Sequence, residues 1–136
     1  DKLLASCRFL FAADGAHSTV RKALGIAFDG QKLPLPHVVV DVESYADQSP
    51  FTKYYCDPRR PWNSIPSPFG GRRFEFRLLP TDDPAKVVTP EGVRALFPAY
   101  FQPPPFKIVR SAIYEYSERL AASFSSGNIF LVGDAV

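Results

Sequence analysis

Hydrophobic positions in this chain fall into short runs whose spacing changes along its length. Cys7 to Ala13 is mostly apolar and stops at Asp14-Gly15, which predicts a buried strand running into a tight loop. Ser18 is placed as an N-cap, Thr19 to Leu24 supply a short helix with Arg21 and Lys22 toward its end, and Gly25 is placed to close it in a left-handed conformation. Beyond Pro34 and Pro36, His37 to Val42 is β-branched and continuous enough for an inner strand. Thr52 to Cys56, Trp62 to Ile65 and Arg73 to Leu79 predict three more strands, with Phe69-Gly70-Gly71 as a turn before the last. Arg73 to Leu79 alternates. Phe74, Phe76 and Leu78 share one face and Arg73, Glu75 and Arg77 the other, so one face is covered and one is wet.

Thr89-Pro90-Glu91 starts a second helix, whose apolar set Val93, Leu96, Phe97, Tyr100 and Phe101 follows helical spacing until Pro98 ends or kinks it. Pro103-Pro104-Pro105 forces an extended link into a long strand, Lys107 to Tyr116, in which Ile108, Arg110, Ala112, Tyr114 and Tyr116 share a face. A turn at Ser125-Ser126-Gly127 then leads to a short strand, Asn128 to Val132, stopped by Gly133-Asp134-Ala135-Val136. The expected class is α+β, a mixed or antiparallel sheet with covering helices, flanked by first and last strands that belong to a different sheet. The expected divisions are 1–30, 31–125 and 126–136.

Composition narrows the function. The 136 residues carry 16 basic and 14 acidic side chains, a near balance that lacks the electrostatic footprint of a nucleic-acid binder. No run approaches the ~18 apolar residues of a membrane-spanning helix, so no membrane association is expected. Cys7 and Cys56 match no zinc or redox spacing and read as reduced thiols, and no metal site is expected. The 14 prolines lie between the elements and punctuate strands. With no methionine, and with Asp1 to Leu4 leading toward a strand without a cap or turn, the chain reads as a segment of a longer protein.

Two motifs are candidates for chemistry. Asp14-Gly15-Ala16-His17-Ser18-Thr19-Val20-Arg21 and Gly133-Asp134-Ala135 each put an aspartate and a glycine at the carboxyl end of an apolar strand. That is where α/β sheets bind nucleotides: glycine lets backbone approach a ligand, and an aspartate accepts hydrogen bonds from sugar hydroxyls. No nucleophile triad is present, and His17 and His37 read as structural. Trp62, Phe74, Phe76, Tyr54, Tyr114 and Tyr116 are candidates for a substrate wall, although the period-two spacing of Phe74 and Phe76 is more often that of a core. Arg59-Arg60 with Arg72-Arg73 could bind a carboxylate, or could be a solvated edge.

In this order the two motifs resemble those of the FAD-dependent aromatic hydroxylases of the p-hydroxybenzoate hydroxylase fold. The first matches at Asp14, Gly15, Ser18, Val20 and Arg21, the second at Gly133, Asp134 and Ala135. The stretches Tyr54 to Pro61 and Arg72 to Pro80 look like the substrate-domain sheet of the 3-(3-hydroxyphenyl)propionate hydroxylase branch. The resemblance implies that Asp14, Gly15 and Arg21 lie near the FAD pyrophosphate and the nicotinamide path, and that Gly133 and Asp134 contact the FAD chain. It further implies that 1–30 and 126–136 belong to an FAD-binding domain and 31–125 to a substrate sheet. The parent would use NADH or NADPH and O2 to hydroxylate a small phenolic substrate through a flavin hydroperoxide, in the cytoplasm, with a homo-oligomer left open. The family's Gly-x-Gly-x-x-Gly unit is not in this sequence, and the second motif lacks its usual Ala-Ala-His continuation. The segment alone is therefore expected to be inactive. A natural-product hydroxylase of the same fold and a non-catalytic association domain are the alternatives.

Overall fold

The computed structural model describes residues 5–136, so the reading of Asp1 to Leu4 lies outside the described residues. The elements in order are β1 (Leu10–Ala12), α1 (Thr19–Ala23), β2 (Phe28–Lys32), β3 (His37–Glu43), β4 (Lys53–Tyr55), β5 (Trp62–Pro66), β6 (Arg72–Arg77), α2 (Pro90–Leu96), β7 (Lys107–Tyr114), β8 (Ser117–Ala121), β9 (Ser125–Ser126) and β10 (Ile129–Leu131). They form two compact units, one of residues up to Lys32 together with Ser117–Val136, the other Leu33–Tyr116. No described helix is long and apolar enough to cross a membrane.

In the first unit β1 runs parallel to β10, which pairs antiparallel with β9. Helix α1 begins where expected, with the Ser18 side chain accepting from the Arg21 amide, and Gly25 follows it at φ +66°. A second, two-stranded sheet pairs β2 with β8 from Phe28↔Ala121 to Lys32↔Ser117. Neither strand is expected from the sequence, because Phe-Asp-Gly-Gln-Lys and Ser-Glu-Arg-Leu-Ala carry no period-two apolar pattern. Their pairing moves the divisions to 32/33 and 116/117, where the sequence suggested 30/31 and 125/126. Ala12, Ala121, Leu131 and Ala135 form the small core, packed by Val20, Ile26, Phe28 and Val136.

The second unit is an antiparallel sheet in the order β4-β5-β6-β3-β7. Its covered face carries Val38, Val40, Val42, Trp62, Phe74 and Phe76 beneath Val93, Leu96 and Phe97. Helix α2 starts at Pro90 with Thr89 as N-cap and ends at Leu96, because Phe97 is already extended ahead of Pro98. Phe97 meets Phe74, Phe76 and Trp62 edge-on, with centroids 5.1, 4.9 and 5.8 Å away. Tyr55 stacks on Trp62 at 3.6 Å. Trp62, Phe74 and Phe76 are thus 4%, 0% and 0% exposed. Of their two readings the core holds, since a side chain sealed by a helix on one side and the sheet on the other presents no surface to a ligand.

The long strand also departs from expectation. The register slips between Asp41↔Arg110 and Val42↔Ile108, which leaves Val109 as an extra residue. Such a bulge reverses side-chain parity. Ile108 therefore packs on the core with Ile113, while Arg110, paired with Asp41, lies on the opposite face with Ala112 and Tyr114. The four clustered arginines separate too. Arg59 pairs with Asp57 and Arg60 with Asp82, Arg73 pairs with Asp41, and Arg72 is buried at 1% exposure.

Arg60 holds both oxygens of Asp82, at 2.7 and 2.8 Å, and the Leu79 amide donates to one of them at 2.7 Å. Led by the Arg60 bond, these contacts keep the Asp82 carboxyl below the usual carboxylate range. The unfolded chain then binds the proton more readily, so this stabilisation is present above the unfolded value of about 4 and is lost as pH falls. The melting temperature of the full-length protein should drop as pH falls below about 4. Asp82→Asn should lower it at neutral pH and shrink the acid-induced drop. An identical pH profile for the variant would contradict this linkage.

Candidate functional site

Because β1 and β10 are parallel neighbours, the loops that leave their carboxyl ends lie side by side in the first unit. The Val132 amide still donates to the Ala12 carbonyl at 3.0 Å, just before each chain turns away. Ligands of open α/β sheets bind at such a place, since backbone donors and strand ends are free of further pairing there.

The first loop is built around Asp14. Its Oδ2 accepts from the amides of Thr19 at 2.8 Å and Val20 at 3.1 Å, capping a helix too short to stand alone. Hydrogen bonds from Ser18 and from the Val20 amide, with a smaller one from Thr19, hold the Asp14 carboxyl below its ordinary range. Asp14 is thus an anchor of the loop. Gly15 beside it has φ +80°, with no atom within 4 Å of where a Cβ would stand.

Arg21 joins the two loops. It is 3% exposed, donates through Nη1 to the Ala135 carbonyl at 2.8 Å and through Nη2 to the Ala16 carbonyl at 2.7 Å, and lies 3.7 Å over the Phe28 ring. Arg21 therefore spends its donors on backbone. At the second loop Gly133 has φ +59° and also has open space on its Cβ side, and the exposed Asp134 side chain has no hydrogen-bond or ion-pair partner among the described residues. Asp134 is the free acceptor and Arg21 the tie. His17 is exposed and takes no part.

In the second unit, the face of the sheet opposite α2 carries a polar network. Arg73 grips Asp41 through two bonds, at 2.7 and 3.1 Å, and Asn63 donates to Glu75 at 3.1 Å. Tyr116 also hydrogen-bonds to Glu75, and burial, followed by that negative charge, raises its phenol above the ordinary value. Tyr114 lies 5.5 Å from Tyr116 by ring centroids and is 50% exposed, and His37 meets Tyr116 edge-on at 5.3 Å. Of the proposed wall, Tyr114 and Tyr116 share this open face, and Tyr54 is exposed on β4. Glu75 and Arg73 were readable from the strict alternation of β6. Asp41 was not, because it sits inside an apolar run and its partners depend on register.

Comparison with known proteins agrees with this architecture. A model described as FAD binding domain matches residues 4–136. The chain is 41% identical, over 128 residues, to 3-(3-hydroxy-phenyl)propionate/3-hydroxycinnamic acid hydroxylase 2 of Burkholderia vietnamiensis, covering 93% of this chain and 23% of that protein. Among solved structures, p-nitrophenol 4-monooxygenase from Pseudomonas putida superposes with a TM-score of 0.72 at 28% identity, covering 93% of this chain and 33% of that one. The flavin-dependent monooxygenase PieE, solved with FAD and substrate, gives 0.71 at 26% identity, covering 94% and 24%. The chain thus spans about a quarter of the length of the hydroxylase it matches.

Proposed function

The chain belongs to the FAD binding domain family, and from that membership we propose that it is the part of an aromatic-ring hydroxylase that joins two FAD-contacting loops through a substrate-facing sheet. The observation that carries the proposal is the pair of loops at the carboxyl ends of β1 and β10, with Asp134 exposed and unpartnered between open glycine backbone. These residues fit FAD. A free carboxylate accepts hydroxyl donors of the ribityl or ribose kind, and two positive-φ glycines leave room for a phosphate-bearing chain to approach backbone.

The redox chemistry, hydride from NADH or NADPH and an oxygen atom from O2 delivered to the ring, is the cofactor's own. This chain's residues bind and orient. Asp134 and the Gly133 backbone would hold the cofactor chain, Gly15 would keep the first loop open to it, and Asp14 and Arg21 would fix the loops that do so. On the sheet, Tyr114 and Tyr116 would wall the ring of a phenolic substrate. The 41% identity to a hydroxyphenylpropionate hydroxylase supports a phenol bearing an acid side chain as that substrate. A hydroxylase that draws on reduced nicotinamide would work in the cytoplasm, where that pool is maintained.

The full-length protein should purify yellow, and addition of 3-(3-hydroxyphenyl)propionate should stimulate NAD(P)H oxidation with formation of a hydroxylated product. A protein that stays colourless with excess FAD, or that turns over no phenolic acid, would sink the reading. More locally, Asp134→Ala in the full-length protein should weaken FAD binding by about 1–3 kcal/mol, the cost of leaving hydroxyls without their acceptor. An unchanged Kd would remove Asp134 from the site.

A further inference from the structure

Charge is unevenly matched on the open face of the five-stranded sheet. Asp41, in β3, sits between arginines on both neighbouring strands. Arg73 takes its carboxylate through two short bonds, whereas Arg110 reaches the same carboxylate only at 3.8 Å, too far for a hydrogen bond. One anion therefore serves two cations. The other acids on this face are occupied, Glu75 by Asn63 and Tyr116, and Glu43 by Lys107 at 2.6 Å. The Arg110 side chain is 54% exposed and makes no hydrogen bond among the described residues.

What lies next to Arg110 is apolar and then aromatic. Ala112 follows Arg110 on the same face, paired with Val39, and Tyr114 comes after it beside Tyr116. Residues four apart on a strand are separated by about 13 Å between Cα atoms, and long side chains shorten the gap between their tips. A shallow strip with a guanidinium at one end and tyrosine rings at the other matches a ring carrying a short acid chain. Guanidinium suits that task because its planar fork meets both oxygens of a carboxylate.

We propose that Arg110 is the specificity-determining residue that binds the carboxylate of an aryl-alkanoate substrate, whose phenol ring lies over Ala112 toward Tyr114 and Tyr116. The proposal deepens the hydroxylase reading and rests on it. It assigns substrate choice to the cation left over by the Arg73–Asp41 pair.

Steady-state kinetics of the full-length holoenzyme with two substrates test it: 3-(3-hydroxyphenyl)propionate, and 3-propylphenol, which keeps the ring and chain but lacks the acid. With Arg110→Gln, KM for the acid should rise about 10- to 100-fold, the usual effect of losing a charge-assisted hydrogen bond, while KM for the neutral phenol stays within about twofold. Arg110→Lys should recover part of the loss for the acid alone. Equal changes for both substrates, or an unchanged KM for the acid, would overturn the assignment while leaving the hydroxylase reading intact. A wild-type protein that oxidises neither phenol would overturn the hydroxylase reading itself, and the assignment with it.

Discussion

Replacing Arg72 with methionine should destabilise the β3–β4 connection and the sheet edge it joins by about 3–5 kcal/mol, the cost of leaving several buried and part-buried acceptors without their donor. Arg72 is 1% exposed on the same face as Phe74 and Phe76, and no carboxylate pairs with it among the described residues. Its charge is met by oxygen dipoles instead. Nε donates to the Ser64 hydroxyl at 2.7 Å, Nη1 to the Ser49 carbonyl at 2.6 Å, and Nη2 to the carbonyls of Phe51 at 3.1 Å and Ser64 at 3.3 Å. Methionine fills the stem's volume and relieves the cation's desolvation, but it strands four acceptors, the Ser64 hydroxyl and three carbonyls, at buried and part-buried positions. Lysine should rescue less than half of the loss, because one ammonium cannot span acceptors set around a planar fork. Native-state hydrogen exchange at 49–55 in the full-length protein reads the effect locally. Protection that changes by less than about 1 kcal/mol, or full rescue by lysine, would show that the network contributes little.

Arg72 and Arg73 also show where sequence pattern stops being informative. Alternation in β6 assigned Phe74, Phe76, Arg73 and Glu75 to their faces, because period two is a property of the backbone alone. The parity that buries Phe74 also buries Arg72, yet a strand begun at Arg73 leaves that consequence out, and a neighbouring arginine pair reads as one basic patch. Capping was equally readable: Ser18 and Thr89-Pro90 announce their helices through local hydrogen bonds and a fixed φ. Strands β2 and β8 were not readable. Phe28 pairs with Ala121, far away in the chain, and long-range pairing of polar segments leaves no local trace. The bulge at Val109 is of the same kind, set by the partner strand and invisible in the spacing of Lys107 to Tyr116. At the loops, Asp14 and Asp134 stood out by their motifs, but the division of labour between them depends on which carboxylate the fold satisfies internally.

That division makes Arg21 the most consequential residue of the first unit. Arg21→Met in the full-length protein should lower FAD affinity about 10- to 100-fold, acting through the loops. The guanidinium bonds the carbonyls of Ala16 and Ala135 at 2.7 and 2.8 Å and lies over Phe28, so its loss leaves the buried Ala135 acceptor and the part-buried Ala16 acceptor unpaired and loosens the tie between the loops. Two hydrogen bonds to a charged donor and a desolvated cation–π contact amount to about 3–4 kcal/mol of local stability. Helix α1, five residues long, has little propensity to persist without them. A positioning role and direct contact with the cofactor phosphates predict different results in the apo protein. If Arg21 positions the loops, amide exchange at Ala16 to Ser18 and at Ala135 to Val136 should accelerate in the variant with no FAD present, and the affinity loss should hold as salt is raised. If apo exchange is unchanged and the loss fades with salt, Arg21 acts on the cofactor's charge, and the tie between the loops is incidental.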